Sequence, residues 1–414
     1  MITISPFKAL RPAAEIAKQL ASRPYDVLNS KEAKVEAQGN NVSFLHITKS
    51  EIDLPDTIDI HAADVYEKAK ENLDAFISRK ILFRETKACY YIYELQMNGK
   101  SQTGLVCGSS VDDYENGLIK KHEFTRPEKE QDRIAHIKTT GAQTGNVFLA
   151  YRNVAELDAV IDKWKLRSPV YNFTADDHIQ HTIWIVNDDD TIENISKLFK
   201  EKVPCTYIAD GHHRAASAAK VRATLGSLAP EGANIFLTTL FPADQLYIMD
   251  YNRVVCDLNG LQQDEFLAAL KIDFSVKTAE KAFSPVKLHD IGMYLNNQWY
   301  CLTAHENSYT EDPIAVLDIS ILQNNLLDPI LNIKDQRTDK RIDFIGGIRG
   351  LQELEKRVNS GEMAVAFSLH PVTIQQLFAI ADSGQVMPPK STWFEPKLRD
   401  GLLTHLIAAP ELDY

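Results

Sequence analysis

The sequence predicts an α+β fold, a mixed α/β multi-domain chain, and three observations lead there. The chain has 414 residues, roughly two to three times a typical domain, so more than one core is expected. Strand-like and helix-like segments interleave along the whole length. Hydrophobic residues at 44% and charged residues at 25% match ordinary globular chains and exclude wholesale disorder, collagen and coiled coil.

The opening "ITISPFKALRP" reads as a short strand ending in a proline-bounded turn, followed by a helix from about Ala13 to Ala21 and the loop "RPYDVLN". Val65, Ala69, Leu73 and Phe76 or Ile77 recur at helical spacing, which predicts an amphipathic helix over 65–77. Ala88 to Met97 and Thr103 to Val111 flank "NGKSQ". Asn98-Gly99 tolerates positive φ, so this stretch predicts a β-hairpin. Thr125 with Glu128 three residues later fits a capping box, with Pro127 in the first turn, and starts a helix near Arg126. Strands follow at "NVFLAY" and "HTIWIV", then the acidic loop Asp188 to Asp190 and a helix over about 191–202. Next come the strand "CTYIA", the turn Asp210-Gly211 and a helix opening "HHRAASAAKV". "ANIFLTTLFP" and "LYIMDYNRVV" read as strands. From Leu261 there is a helix ("QQDEFLAALK"), strands near "GMYLNNQWYCLTA", and a strand, glycine turn and helix at "IDFIGGIRGLQELEKRV". There is no internal repeat and no low-complexity linker. The expected division is a mixed α/β domain over 1–135, part of which belongs with the core, a phosphate-binding core over 136–260, and an α/β domain over 261–414.

The 45 Lys+Arg against 57 Asp+Glu give a net charge of -12, which opposes a general attraction to nucleic acid or anionic lipid. The uncharged run from Met363 to Ala381 contains His370, Pro371, Gln375 and Gln376. It reads as the buried strand "AVAFSL" and an amphipathic helix rather than a membrane span. The first twenty residues lack a signal-peptide pattern. Five dispersed cysteines without a C-x-x-C pair suit a reduced, cytoplasmic protein with no structural zinc. The expected partners are a nucleotide and a small-molecule substrate, with a homo-oligomer left open.

Chemistry concentrates in "YIADGHHRAASAAK". A strand running into Gly211, with a helix directly after it, aims free backbone N–H groups and the positive end of the helix dipole at one spot. Gly211 lets a phosphate come close to the backbone, while His212, His213 and Arg214 add donors and charge. Asp210 is either the helix cap or a ligand for a divalent metal against phosphate oxygens. An ordinary Asp cap with exposed histidines is the plain alternative, but it requires neither the His pair nor the Arg. In the cluster Lys121, His122, Glu123 and Arg126, Glu123 is a candidate general base and Arg126 a candidate phosphate clamp; a solvated charged face is the alternative. Gly346-Gly347, with Arg341 nearby, lack P-loop spacing and read equally as a tight turn. In "MPPKSTWFEPKLRDG", Lys390 with Ser391 suits phosphate or carboxylate recognition, and an aromatic anchor is the alternative. Serine-hydrolase, zincin and Rossmann signatures are absent.

The whole chain resembles the domain-of-unknown-function family 1015. The resemblance rests on "ISPFKALRP", "RPYDV", "KKHEFTRPEKEQDR", "YIADGHHRAASA", "FPADQL", "RTDKRIDFIGGIRG" and "MPPKSTWFEPKL". The "DGHHR" element is similar in turn to the signature of the partition-protein-B/sulfiredoxin-like fold, which includes kinases acting on free L-serine. That resemblance implies a phosphate-binding and catalytic core at Asp210, Gly211, His212, His213 and Arg214, and a glutamate base from an early segment. Glu123 is the expected base, with Glu51 as the other choice. No cysteine lies in the phosphate loop, since Cys205 is five residues before Asp210, which disfavours sulfiredoxin-like chemistry. The expectation is a small-molecule kinase phosphorylating free L-serine or a similar metabolite. It would use ATP or ADP with Mg²⁺, place Asp210 on the metal, use Arg126, Arg214, Lys390 and Ser391 for phosphate, and use Arg341 and Lys397 for substrate. A non-catalytic nucleotide-binding regulator and a small-molecule phosphatase are the alternatives.

Overall fold

In the computed structural model, residues 1–388 and 390–408 are described. They divide into two units, one of Met1–Leu246 together with the chain from Pro396 onward, the other of Tyr247–Glu395. The first unit is therefore discontinuous in sequence.

The first unit is built on a nine-stranded mixed sheet. Its strands in chain order are β1 (Ile4–Ser5), β2 (Tyr90–Met97), β3 (Lys100–Ser110), β4 (Ile119–Lys120), β5 (Val147–Tyr151), β6 (Tyr171–Thr174), β7 (Gln180–Val186), β8 (Thr206–Asp210) and β9 (Ile235–Pro242). Across the sheet the order is β4-β8-β5-β9-β3-β2-β7-β6, with β1 on β3. The β2–β3 hairpin forms as expected, but its turn is only Asn98-Gly99, at φ 52° and 75°. Lys100, Ser101 and Gln102 already pair with Met97, Gln96 and Leu95, because a two-residue turn with both residues left-handed matches the strand twist.

The helices of this unit are α1 (Ala63–Ser78), α2 (Pro127–Thr140), α3 (Ala155–Lys165), α4 (Asp189–Lys202) and α5 (His212–Leu225); all but α3 were expected, while the helix expected over about 13–21 is a 3₁₀ turn (Ala14–Ile16) and one four-residue turn of helix (Ala17–Leu20). The acidic run before α4 is its cap and first turn, with Asp188 accepting from the Thr191 N–H at 3.0 Å. At α2 the expected capping box does not form. Arg126 is the N-cap residue, without a side-chain cap bond, and the Thr125 hydroxyl donates instead to the buried Glu130. The expected boundary between 135 and 136 falls inside α2.

The run of small residues in α5 explains how that helix lies on the sheet. Ala215, Ala216, Ala218 and Ala219 are buried in one cluster with Val147, Leu149 and Ile208. A second cluster joins Leu10, Leu20, Phe44, Leu73, Phe76 and Leu406. Each fully buried leucine or phenylalanine contributes about 1.5–3 kcal/mol.

The second unit carries a six-stranded antiparallel sheet. Its strands are β10 (Tyr251–Val255), β11 (Phe274–Ala279), β12 (Asp290–Leu295), β13 (Gln298–Ala304), β14 (Ile342–Gly346) and β15 (Val365–Leu369), ordered β11-β13-β12-β15-β10-β14. Helix α6 (Gln263–Leu270) precedes β11, α7 (Gly350–Asn359) follows β14 and α8 (Ile374–Asp382) follows β15. Residues of α7 pack with Val254, Tyr294, Trp299 and Ile345. No helix of the described residues is long and apolar enough to cross a membrane, and all five cysteines are free.

Candidate functional site

Strand β8 enters the site through an irregularity, its register against β5 shifting between Ile208 and Asp210. Such bulges re-aim the end of a strand. Gly211 then takes φ 97° as the N-cap residue of α5, a left-handed value that costs a side chain roughly 1–2 kcal/mol. A Cβ there would also sit 3.3 Å from the Val147 Cα. The chain thus turns tightly from sheet to helix, and the first-turn N–H groups of a 14-residue helix lie at the positive end of its dipole.

The two histidines after Gly211 bind the neighbouring segment. The backbone N–H of His122 donates to His212 Nε2 at 3.4 Å, and that of Arg126 donates to His213 Nε2 at 2.9 Å. Both rings accept through Nε2, so each carries its proton on Nδ1. Burial holds them neutral, pushing His213 down to about 4 and His212 well below its ordinary value. Glu123, half-buried, lies in sequence between these two anchored residues. His122 is buried, its ring meets His212 edge-on at 4.5 Å, and burial lowers it to about 4. Its Nδ1 has no hydrogen-bond partner.

Arg214 packs beside the turn, its Nη1 3.6 Å from where a Cβ on Gly211 would sit. Its guanidinium donates to the Asn146 carbonyl at 2.5 Å and to Asp26 Oδ2 at 2.7 Å. Burial works against its charge, but Asp26 and Asp210 outweigh that and raise its pKa. Tyr25 lies between two guanidiniums, Arg133 at 3.9 Å and Arg214 at 5.5 Å from its ring centre, a favourable stacking on its π face. The "RPYDV" element thus fixes Arg214. Burial pushes the nearby Asp400 carboxyl up to about 7.

Asp210 Oδ2 accepts from Lys397 Nζ at 2.8 Å. Burial alone would raise this carboxyl, but Lys397 and then Arg214 hold it well below the usual carboxylate range. Asp210 does not cap α5 through its side chain. The Mg²⁺ expected here does not fit Asp210 in this arrangement. A divalent ion on Oδ2 would meet the Lys397 ammonium, and two unit charges ~4 Å apart at an effective dielectric of ~20 already repel by about 4 kcal/mol, which a double charge doubles. Among the described residues no group of three or more His, Cys, Asp or Glu side chains could hold a metal.

Glu123, Arg126, Asp210, Gly211, His212, His213, Arg214 and Lys397 therefore belong to one neighbourhood of the first unit. Glu51 is buried and paired with Lys49 at 2.9 Å and Ser30 at 2.7 Å. Lys390, Ser391 and Arg341 belong to the second unit. There Arg341 is held by Asp339 at 2.9 Å and by the carbonyls of Leu331 and Asn332, each at 3.0 Å. The Lys390 carbonyl accepts from the buried Arg253 at 2.9 Å, and Ser391 donates to the Pro388 carbonyl at 2.5 Å. Pro389 lies outside the described residues. Gly346 and Gly347 are required by packing, since a Cβ would lie 2.8 Å from the Trp393 ring and 2.0 Å from Asp250. Sequence reasoning assigned no role to Tyr25, Asp26, Asn146 or Asp400. "RPYDV" and "LRDG" were the visible traces of three of these residues.

The fold and site define a mixed α/β chain in which a strand, a left-handed glycine turn and a helix meet. The chain belongs to the family described as "Protein of unknown function (DUF1015)", whose pattern matches residues 4–320. No curated protein matches it. Among solved structures it is similar to a conserved hypothetical protein from Pyrococcus furiosus, at 14% identity and a TM-score of 0.37, covering 73% of this chain and 95% of that one. A free serine kinase in complex with AMP aligns at 13% identity and a TM-score of 0.35, covering 72% of this chain and 91% of that one. SbnI with C-terminal truncation from Staphylococcus aureus aligns at 11% identity and a TM-score of 0.34, with coverages of 73% and 87%.

Proposed function

We propose that the chain is a small-molecule kinase that transfers a phosphoryl group from ATP or ADP to the hydroxyl of free L-serine or a similar metabolite, acting in the cytoplasm. The observation that carries this reading is the tethering of the Glu123 segment, through His122 and Arg126, to His212 and His213 at the start of α5. On this reading the Glu123 carboxylate takes the proton beside a helix end that attracts phosphate. The likeness of "DGHHR" to the element of free serine kinases supports the same reading.

In this mechanism the terminal phosphates rest on the first-turn N–H groups after Gly211, which only a side chain-free residue lets them approach. Glu123 accepts the acceptor's hydroxyl proton as its oxygen bonds to the terminal phosphorus. The bond from that phosphorus to the bridging oxygen breaks, and the electron pair leaves with the shortened nucleotide. Neutral His212 and His213 hold Glu123 in register, and Arg214, fixed by Asp26, keeps the turn in shape. Positioning and electrostatics supply most of the catalysis in such transfers. The test is to incubate the full chain with ATP or ADP and an amino-acid mixture and to follow phosphorylated products by mass spectrometry. Phosphoserine is expected; no phosphorylated acceptor with either nucleotide would overturn the reading. Nucleotide-dependent thermal stabilisation without turnover would favour a regulatory protein instead.

A further inference from the structure

We propose that a cavity of the first unit, with Arg399 as its fixed cation, binds a zwitterionic α-amino acid by its carboxylate and its ammonium. Taking that ligand as the phosphoryl acceptor rests on the kinase reading; the binding site itself does not.

The cavity measures about 540 Å³, and Lys18, Arg23, Glu36, Phe173, Asp177 and Arg399 are among its lining residues, all of the first unit. Pockets for small molecules span ~300–1,000 Å³. One wall grows from the sheet. Phe173 on β6 pairs with His181 on β7, and His181 with Leu95 on β2. Opposite residues share a face, as do residues two apart, so Phe173, His181 and Tyr93 stand on one side of three neighbouring strands. His181 is fully buried, its ring stacked on Phe173 at 5.4 Å and its Nδ1 2.8 Å from the Tyr93 hydroxyl. The chain around Arg23 is fixed beside Arg399, because Ser22 and Asp400 exchange two backbone hydrogen bonds, at 3.1 and 2.9 Å.

Arg399 is the buried charge of this cavity, its side chain only 7% exposed. Its Nε donates to His181 Nε2 at 3.4 Å, its Nη2 donates to Asp177, and its backbone N–H donates to the Tyr93 hydroxyl at 3.3 Å. Burial holds His181 neutral, pushing it down to about 3, so the ring accepts from the guanidinium. Among the described residues the two N–H groups of Nη1 have no partner. Buried donors are as a rule satisfied, and a carboxylate takes two parallel bonds from a guanidinium fork.

The remaining charges narrow the ligand. Arg23 is paired with Glu36 at 2.8 Å, and Lys18 lies 3.7 Å from Asp176. With Arg399 and Asp177 the cavity thus carries three cations and three carboxylates. A phosphate or other plain anion would meet the carboxylates, and a plain cation would meet the cations. A molecule with both charges exchanges partners with these pairs, of which the two exposed ones contribute little by themselves. Two of the walls also lead to the Gly211 turn. Arg399 is two residues from Lys397, a Cα separation of at most ~7 Å, and Arg23 is two residues from Tyr25, whose ring lies beside Arg214.

The test is calorimetric titration of the full chain, with and without ADP, against a panel of free α-amino acids headed by L-serine. At least one is expected to bind. Its N-acetyl derivative, which lacks the ammonium, and its amide, which lacks the carboxylate, should each bind about tenfold or more weakly, the loss of one charge-assisted contact. Arg399→Met should weaken the amino acid by about tenfold or more, and Arg399→Lys should recover only part of that, because an ammonium lacks the fork. Asp177→Asn, at a more exposed side chain, covers the case in which Arg399→Met does not fold; it should weaken the amino acid but not its N-acetyl derivative. No binding by any amino acid, equal binding of the derivatives, or an Arg399→Met variant that melts and binds like the wild type would overturn the inference. Phosphorylation of an amino acid with an unchanged KM in Arg399→Met sinks the inference and leaves the kinase reading standing. Binding with the expected dependence but no phosphorylated product upholds the site and sinks the kinase reading.

Discussion

Replacing Gly211 by alanine tests the turn on which every role assigned to the site depends. At φ 97° and ψ 29° an alanine sits in the left-handed region at a cost of roughly 1–2 kcal/mol. Its Cβ also lies 3.3 Å from the Val147 Cα, a backbone atom of the neighbouring strand, and 3.6 Å from the Arg214 side chain. Backbone atoms yield less readily than side-chain ends, so the total is expected at about 2–3 kcal/mol. For a unit of this size that corresponds to a fall in Tm of about 4–10 °C. Gly99→Ala is the matched control: it has φ 75° but nothing within 4 Å of an added Cβ, so it loses only the conformational part. The assay is amide hydrogen exchange of the Thr206–Asp210 strand across a urea series, together with ADP titration of both variants. Gly211→Ala should open that strand at lower urea and weaken ADP binding, whereas Gly99→Ala leaves binding unchanged. Equal effects of the two substitutions would refute the reasoning.

Asp26→Asn removes the charged partner of the nearly buried Arg214 and is expected to cost about 1–3 kcal/mol in urea unfolding of the first unit; an unchanged midpoint would contradict the role given to "RPYDV". Acid should release the Glu123 segment. His122 and His213 have folded pKa values of about 4 against an ordinary 6.5, so the unfolded chain takes protons first. Their contribution is complete above about pH 6.5 and is lost as pH falls towards 4. Hydrogen exchange over residues 120–130 should therefore quicken between pH 7 and pH 5, after correction for the intrinsic rate, and constant protection would contradict it. Gly347→Ala, with its Cβ 2.0 Å from Asp250 Oδ1, should destabilise the second unit while ADP binding persists. Loss of binding in that variant would count against placing the nucleotide site in the first unit.

Much of the fold was legible because its signals are local. Asn98-Gly99 announces the hairpin, and the "CTYIA" strand, Gly211 and the alanine-rich helix follow from a buried run, a turn residue and small side chains in succession. The capping box at Thr125 was misread because a buried glutamate five residues on, Glu130, competes for the same hydroxyl, and no local rule weighs burial. The site was half legible for a similar reason. Glycine and histidine at a helix start are a local pattern, but Asp26 meets Arg214 across 188 positions and Lys397 meets Asp210 across 187. Pairings at that separation depend on the tertiary course of the chain, and for Lys397 on its return from the second unit, which composition and periodicity do not encode. The type of Arg214 suits phosphate, and the groups that fix its guanidinium, Asp26 and the Asn146 carbonyl, lie far away in the chain.

The central claim is that Glu123 acts as the base for phosphoryl transfer at the Gly211 turn. The most direct measurement is phosphoserine formation from L-serine and ATP or ADP by the wild type and by Glu123→Gln, alongside ADP affinity for both. The variant is expected to bind ADP as the wild type does while its turnover falls about 10²–10⁴-fold, the usual contribution of a positioned general base. Equal turnover in the two proteins would contradict the account.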